Sequence, residues 1–233
     1  METKKHIIFD FFGTLVGYTH GYLSGDQYSK THKFLINKGY EITYENFSSS
    51  LDAAFSKLEK VAKATNKEFS MNDVTQLFFA NNSWEARDKI RDEFIEIYHS
   101  EWNRHVIYYS ALKPFLSKLK EKYTLSVITN THYKSLVPNH LKMMGVLEDF
   151  KLVLTSVECG IRKPDPRIFQ KALKQLSAKP EEAIYVGDSY SADYQGSLSV
   201  GMKGILIDKE GKWKGTVEDR VDSLFDILPL AIS

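Results

Sequence analysis

Hydrophobic residues along the chain group in two ways. Short runs rich in β-branched residues, HIIF from His6, LSVIT from Leu125, KLVLT from Lys151, AIYVG from Ala183 and KGILID from Lys203, show no clean apolar–polar alternation. That pattern predicts strands buried on both faces, as in a parallel sheet. Helix-like stretches separate the later runs. SLVPNHLKMMG ends at Gly145, and DPRIFQKALKQL opens with Pro166 near its first turn. Repeated strand–helix–strand units predict an α/β core, a doubly wound, Rossmann-like, mostly parallel sheet.

Residues 16–105 carry a different period. Phe47, Leu51, Phe55, Leu58 and Ala62 recur at helical spacing, as do Ile90, Phe94 and Ile97. SMND, from Ser70, has the form of a capping box ahead of Val74, Leu77 and Phe78. No proline precedes Pro114 to interrupt these helices. FFANNSW, from Phe78, is expected as a turn between helices. The predicted organisation is a core of residues 1–15 and 106–233 with a helical insert of residues 16–105. A short C-terminal helix around VDSLFDILPLAI is expected to lay Leu224, Ile227 and Leu228 on the sheet.

Composition narrows the class only a little. The 233 residues are 42% hydrophobic and 26% charged, with a net charge of +1. Such a balance fits a globular protein and offers no polyanion-binding surface, so a nucleic-acid partner is not expected. The single cysteine, Cys159, excludes an internal disulfide and a cysteine-rich metal site. No apolar run reaches membrane-span length, and METKKH leads straight into a strand-like run rather than a secretory signal. The expectation is a soluble cytoplasmic protein, monomer or dimer, acting on a small molecule.

In an open parallel sheet, ligands bind beyond the carboxyl ends of the strands. Asp10 follows the first predicted strand, with Gly13 and Thr14 behind it. Thr129 and Asn130 end the second, and the loop after the third reaches Lys163 in GIRKPDP. After the fourth comes GDSYSAD, with Asp188 and Asp193. A carboxylate, a hydroxyl, a cation and an acidic pair thus converge on one rim.

FDFFGTL, VITN, RKPDP..F and YVGDSYSAD resemble the four ordered motifs of the haloacid dehalogenase (HAD) superfamily. The likeness runs from the first strand to the last, and the helical block lies where that family inserts a cap. The resemblance implies a core and cap closing over a small substrate, and an Asp that attacks to form a covalent intermediate. Carried onto this chain, Asp10 is the nucleophile, and Thr129 and Lys163 hold the transferred group. Asp188 and Asp193, with Asp10 and the main-chain carbonyl of Phe12, bind Mg²⁺. Thr14 and Asn130 are candidates for substrate contact. So are Tyr18 and His20, from the Gly- and Tyr-rich stretch of residues 16–26, whose aromatics are equally suited to stapling cap to core.

The chemistry of these residue types agrees. A carboxylate attacks only an electron-poor, well-held target. Clustered carboxylates repel one another without a cation, and Mg²⁺ prefers hard oxygen ligands. A lysine and a threonine hydroxyl suit the equatorial oxygens of a transferring phosphoryl group.

Phe12 departs from the family pattern. Phosphatases of the family carry Asp two positions after the nucleophile, to protonate the leaving alcohol and then activate water. Such general acid–base help is worth roughly 10²–10⁴ in rate, or about 3–5 kcal/mol. Three readings stay open. The first is metal-dependent phosphoryl transfer on a phosphorylated metabolite whose leaving group needs no acid, such as an acyl phosphate. A base from elsewhere would serve equally, and His20, His32, His99 and His105 are on offer. The second is a 2-haloacid dehalogenase, a branch with Tyr at the matching position, since departing halide needs no proton. That branch lacks the Gly187–Asp188 pair and clamps its haloacid with an early arginine, whereas the first arginine here is Arg87. The third is a non-catalytic relative that binds a phosphorylated ligand.

Overall fold

The computed structural model describes residues 5–19, 27–85 and 87–227. His20 and Leu228 lie outside them. Two compact units emerge, Met1–Tyr18 with Ile107–Ser233, and Thr19–Val106. The chain begins with β1 (Lys5–Phe9) and β2 (Val16–Tyr18), then runs through α1 (Ser29–Asn37), α2 (Tyr44–Thr65), α3 (Met71–Asn81) and α4 (Asp88–Trp102). It continues with β3 (Val106–Tyr108), α5 (Leu112–Lys120), β4 (Tyr123–Thr129), α6 (Leu136–Met143), β5 (Phe150–Thr155) and α7 (Ser156–Cys159). The last elements are α8 (Pro166–Leu176), β6 (Ala183–Gly187), α9 (Gly196–Leu198), β7 (Lys203–Ile207) and β8 (Arg220–Val221).

In the first unit, six strands form a sheet in the order β5-β4-β1-β6-β7-β8. Every neighbouring pair is parallel. β1 is central, with Phe9 opposite Val127 on one side and Val186 on the other. Ile7, Ile8 and Phe9 are fully buried, which is why HIIF shows no alternation. α8 covers one face. Asp165 accepts a hydrogen bond from the Arg167 amide at its start, and Pro166 occupies the first turn, where no amide proton is needed. Ile168, Phe169, Ala172 and Leu173 pack with Ile8, Ile128, Leu154 and Tyr185. Burying the three larger side chains stabilises this packing by about 1.5–3 kcal/mol each.

Three strands are too short for any periodicity to reveal. β2 and β3 pair as a separate two-stranded sheet, and β8 extends the main sheet beyond β7. Over residues 221–227, the described part of the expected C-terminal helix, the chain instead forms the end of β8 and a single 3₁₀ turn at Leu224–Asp226. Val221 spends its carbonyl on the Asp208 amide at 2.8 Å, which keeps it in the sheet. Leu224 and Ile227 are nonetheless buried.

The second unit is helical. Thr43 caps α2, and Ser70 and Asp73 form a reciprocal capping box on α3. FFAN belongs to α3, so the expected turn shrinks to its last three residues. The Asn82 amide closes that helix end by donating to the Phe78 carbonyl and the Ser50 hydroxyl, both at 2.8 Å. Phe47, Phe78 and Phe94 form the centre of an aromatic core, with ring centroids 5.5–6.5 Å apart. Glu101, 1% exposed, accepts from the amides of Lys30 and Thr31 and from the Thr31 hydroxyl at 2.7–2.9 Å. It thereby satisfies amides at the start of α1 that have no helical partner. Among the described residues, no helix is long and apolar enough to cross a membrane.

Candidate active site

The carboxyl ends of β1, β4 and β6 lie side by side, and the turns beyond them carry the site. Asp10 leaves β1 with its amide donating to the Val186 carbonyl at 2.9 Å. The chain then turns sharply, with the amides of Leu15 and Val16 returning to the Phe11 carbonyl and the Gly13 amide to the Val16 carbonyl. Gly13 has φ +86°, and a Cβ there would overlap the Asp188 carboxylate. Glycine is therefore required twice over, for its conformation and for the close approach.

Lys163 reaches this point from the loop between α7 and α8, which follows β5. Both ends of the Asn130 amide hold its backbone: Oδ1 accepts from the Lys163 amide at 2.8 Å and Nδ2 donates to its carbonyl at 3.0 Å. Its ammonium donates to Asp10 Oδ1 at 2.7 Å, Asp193 Oδ1 at 2.5 Å and the Tyr185 hydroxyl at 2.7 Å. All three ammonium protons are thus committed. The Tyr185 hydroxyl in turn donates a hydrogen bond to the Ile128 carbonyl at 2.8 Å.

Asp193 is set by a π-helical turn, Tyr190–Gln195, that follows β6. Its Oδ2 accepts from the Ser189 amide at 2.9 Å, leaving Oδ1 for Lys163. Gly187 has no side chain because a Cβ would meet the Asp193 carboxylate. One carboxylate oxygen from each of Asp10, Asp188 and Asp193 lies within 4.8 Å of the others.

Three carboxylates against one ammonium leave two formal negative charges unmatched within the cluster. The electrostatics reflect that excess. Burial pushes the Asp10 carboxyl up to about 6, with Lys163 opposing and Asp193 adding to the rise. Asp188, although exposed on one side, is pushed up to about 7, first by partial loss of solvent and then by the charges of Asp10 and Asp193. For Lys163, the two carboxylates outweigh burial and hold the ammonium above its ordinary range. Hard oxygen donors in this number and charge fit a divalent cation.

The remaining predicted residues fall in different places. Thr129 ends β4, 1% exposed, in register with Thr155. Thr14 is equally buried, and its hydroxyl has no hydrogen-bond partner among the described residues. Asn130 holds the Lys163 loop, so both ends of its amide are already occupied. The Tyr18 phenol is raised by burial and then by the charges of Asp188 and Asp10, so it stands within their electrostatic reach. The Phe12 ring is half-buried, edge-on to Phe11 at 4.8 Å and to His140 at 6.0 Å. Of the histidines offered as alternative bases, His32 bonds the Ile42 carbonyl, His99 the Ile95 carbonyl and His105 the Thr19 hydroxyl. Each is engaged within the helical unit. Tyr185 was not expected at the site, because its ring reads as one more apolar strand residue.

The chain is similar to several known proteins. Haloacid dehalogenase-like hydrolase domain-containing protein 3 of Mus musculus is 41% identical over 97 residues, 42% of this chain and 38% of that protein. Glyceraldehyde 3-phosphate phosphatase of Methanopyrus kandleri is 26% identical over 217 residues, covering 90% of this chain and 86% of that one. The alignments to the first curated relatives span only 32% to 50% of those proteins' lengths. The crystal structure of 2-haloacid dehalogenase from Pseudomonas syringae pv. Tomato DC3000 superposes with a TM-score of 0.72 at 20% identity, over 99% of this chain and 98% of that one. At that identity the likeness is one of fold. The family model for haloacid dehalogenase-like hydrolases matches residues 7–207, and the chain belongs to that family.

Proposed function

We propose that the protein is a divalent-cation-dependent phosphohydrolase that transfers a phosphoryl group from a small metabolite to Asp10 and then to water. The observation that carries this reading is the cluster of Asp10, Asp188 and Asp193 with, among the described residues, only Lys163 inside it. Its unmatched negative charge suits a cation and disfavours a metal-free mechanism. The full-length likeness to a phosphatase supports the same reaction class.

The chain's residues divide the work. Asp10 is fixed by Lys163 through Oδ1, which leaves Oδ2 to attack phosphorus as the bond to the leaving oxygen breaks. Lys163 keeps the nucleophile ionised in a buried place, where burial alone would protonate it. Thr129 and Thr14 offer hydroxyls to the phosphoryl oxygens. Asp10, the Phe12 carbonyl, Asp188 and Asp193 would hold Mg²⁺, which when bound supplies positive charge against the transferring group. The helical insert is the cap that excludes water and selects substrate, with Tyr18 offered to the substrate.

Phe12 sets the limit on the substrate. A benzyl ring can neither donate nor accept the leaving-group proton, so the enzyme favours leaving groups that depart as stable anions. Acyl and aryl phosphates meet that condition and alkyl phosphates do not. The same ring favours a second reading, hydrolysis of a carbon–halogen bond, against which Asp188 stands.

The test is turnover of acetyl phosphate, p-nitrophenyl phosphate, glycerol 3-phosphate and 2-chloropropionate, with and without Mg²⁺, beside Asp10→Asn. Mg²⁺-dependent phosphate release, fastest for the first two and lost in Asp10→Asn, is the expected result. Chloride release without metal overturns the reading in favour of the dehalogenase, and silence on all four overturns both.

A further inference from the structure

The loop that follows β7 touches both segments that carry the site's acids, though none of its residues belongs to the four family motifs. Asp208, 6% exposed, braces it. Its carboxylate accepts from the amides of Lys212 and Trp213 and from Arg220 Nε at 2.8–3.0 Å. Arg220 also donates to the Asp208 carbonyl at 2.9 Å, tying the loop to β8. From this braced base two side chains extend. Trp213 stacks on Tyr190, centroids 3.7 Å apart and planes 13° from parallel, at the start of the turn that presents Asp193. Lys209 reaches the turn that follows Asp10.

Its ammonium donates to the Gly13 carbonyl at 2.8 Å and lies 3.3 Å from the Tyr109 hydroxyl. Tyr109 in turn packs against Gly17, where a Cβ would come within 3.0 Å of its hydroxyl. Lys209 and Tyr109 thus grip the nucleophile turn near both its ends. The gripped residue, Gly13, is the one whose missing side chain makes room for the Asp188 carboxylate. A shift of the Gly13 carbonyl would therefore move the surface on which Asp188 rests.

We infer that Lys209 is a positioning residue: by holding the Gly13 carbonyl it fixes the turn after Asp10 against Asp188, and so sets the spacing of the acidic site. The consequence for turnover rests on the phosphohydrolase reading above; the consequence for the turn does not. Lys209 acts through Gly13 and Asp188 and needs no contact with substrate. A misplacement of about 1 Å at a catalytic group is enough to cost on the order of 10²-fold in rate.

The experiment compares Lys209→Met, Lys209→Arg and Lys212→Met in the full chain. Lys212 is an exposed cation on the same loop, set over the Trp213 ring, so its removal changes loop charge without touching Gly13. Two readouts are taken: steady-state turnover of acetyl phosphate with Mg²⁺, and hydrogen exchange at the amides of Gly13, Leu15 and Val16. Lys209→Met is expected to lower kcat by about 10- to 100-fold with KM nearly unchanged, and to speed exchange at those three amides selectively. Lys209→Arg, which can still donate to the carbonyl, should restore most of both. Lys212→Met should match the wild type. Should Lys209→Met and Lys212→Met behave alike in exchange, or Lys209→Arg fare no better than Lys209→Met in both readouts, the inference is overturned. A wild type that turns over none of the test substrates defeats the phosphohydrolase reading alone, since the exchange arm still judges Lys209. If Lys209→Met fails to fold, Lys209→Gln, too short to reach the Gly13 carbonyl, carries the same comparison against Lys209→Arg.

Discussion

Replacing Lys163 by methionine removes what is, among the described residues, the one cation inside the acidic cluster, while keeping most of the side-chain volume. Lys163 is 4% exposed, and its ammonium bonds Asp10, Asp193 and Tyr185 at 2.5–2.7 Å. Removing one partner of a buried ion pair costs about 3–5 kcal/mol, because the other charge is left buried without compensation. Here two carboxylates are stranded, so the metal-free variant should lose at least that much at pH 8. Protonation offers them relief. Each carboxyl held neutral in the folded state and ionised in the unfolded state is worth about 1.4 kcal/mol per pH unit. Stability from such a group is present at low pH and is lost as pH rises towards the folded value. The deficit of Lys163→Met should therefore shrink by about 2 kcal/mol or more between pH 8 and pH 5. Urea unfolding in EDTA at the two pH values, followed by circular dichroism, measures it. A deficit below about 1 kcal/mol at pH 8, or the same deficit at both values, would refute the buried-charge account.

Three further outcomes are expected from other parts of the molecule. Phe12→Asp restores an acid beside the nucleophile and should raise kcat/KM on glycerol 3-phosphate by about 10²-fold or more; no gain in a variant that still binds Mg²⁺ would count against the role given to Phe12. Glu101→Ala strands two amides and a hydroxyl at the start of α1 and should destabilise the helical unit by about 3 kcal/mol, read from its urea midpoint, with Glu101→Gln retaining part. For the metal-free protein, Asp10 at about 6 and Asp188 at about 7 both lie above the ordinary 3.8. Their neutral forms are favoured by folding, so Tm should fall as pH rises from 5 to 7.5, and the fall should be smaller in Asp188→Asn; a fall that is equally steep in that variant would remove Asp188 as its cause.

Much of the core was legible because burial on both faces leaves a plain mark. HIIF and AIYVG are apolar throughout because β1 and β6 lie inside the sheet. Asp10, Lys163, Asp188 and Asp193 could be found in the turns beyond such strands, since a parallel sheet directs those turns to one rim. The same rule applied to KGILID leads to Lys209. Tyr185 could not be found that way. Its ring fills the core like its neighbours, and only the register of β6 beside β1 brings its hydroxyl under Lys163. Asn130 was legible as a polar residue at a strand end, but its partner lies 33 residues away in the Lys163 backbone, a distance that local pattern does not bridge. β2, β3 and β8 are two or three residues long, too few repeats of the two-residue strand pattern to stand out. Leu224 and Ile227 were expected on a helix, but the stretch leading into them is held in the sheet, where the Val221 carbonyl accepts from the Asp208 amide.

Asp10, Asp188 and Asp193, with Lys163 among them, are proposed here as the site of a divalent cation. Isothermal titration of metal-free protein with Mg²⁺ at pH 6.5, in two buffers of different ionisation heat, tests it without any substrate. One Mg²⁺ per chain should bind with net proton release, because Asp10 and Asp188 still hold part of their protons at that pH. Asp188→Asn should weaken binding by at least about tenfold, or about 1.4 kcal/mol. Absence of binding in the millimolar range, or equal affinity in Asp188→Asn, would contradict the account.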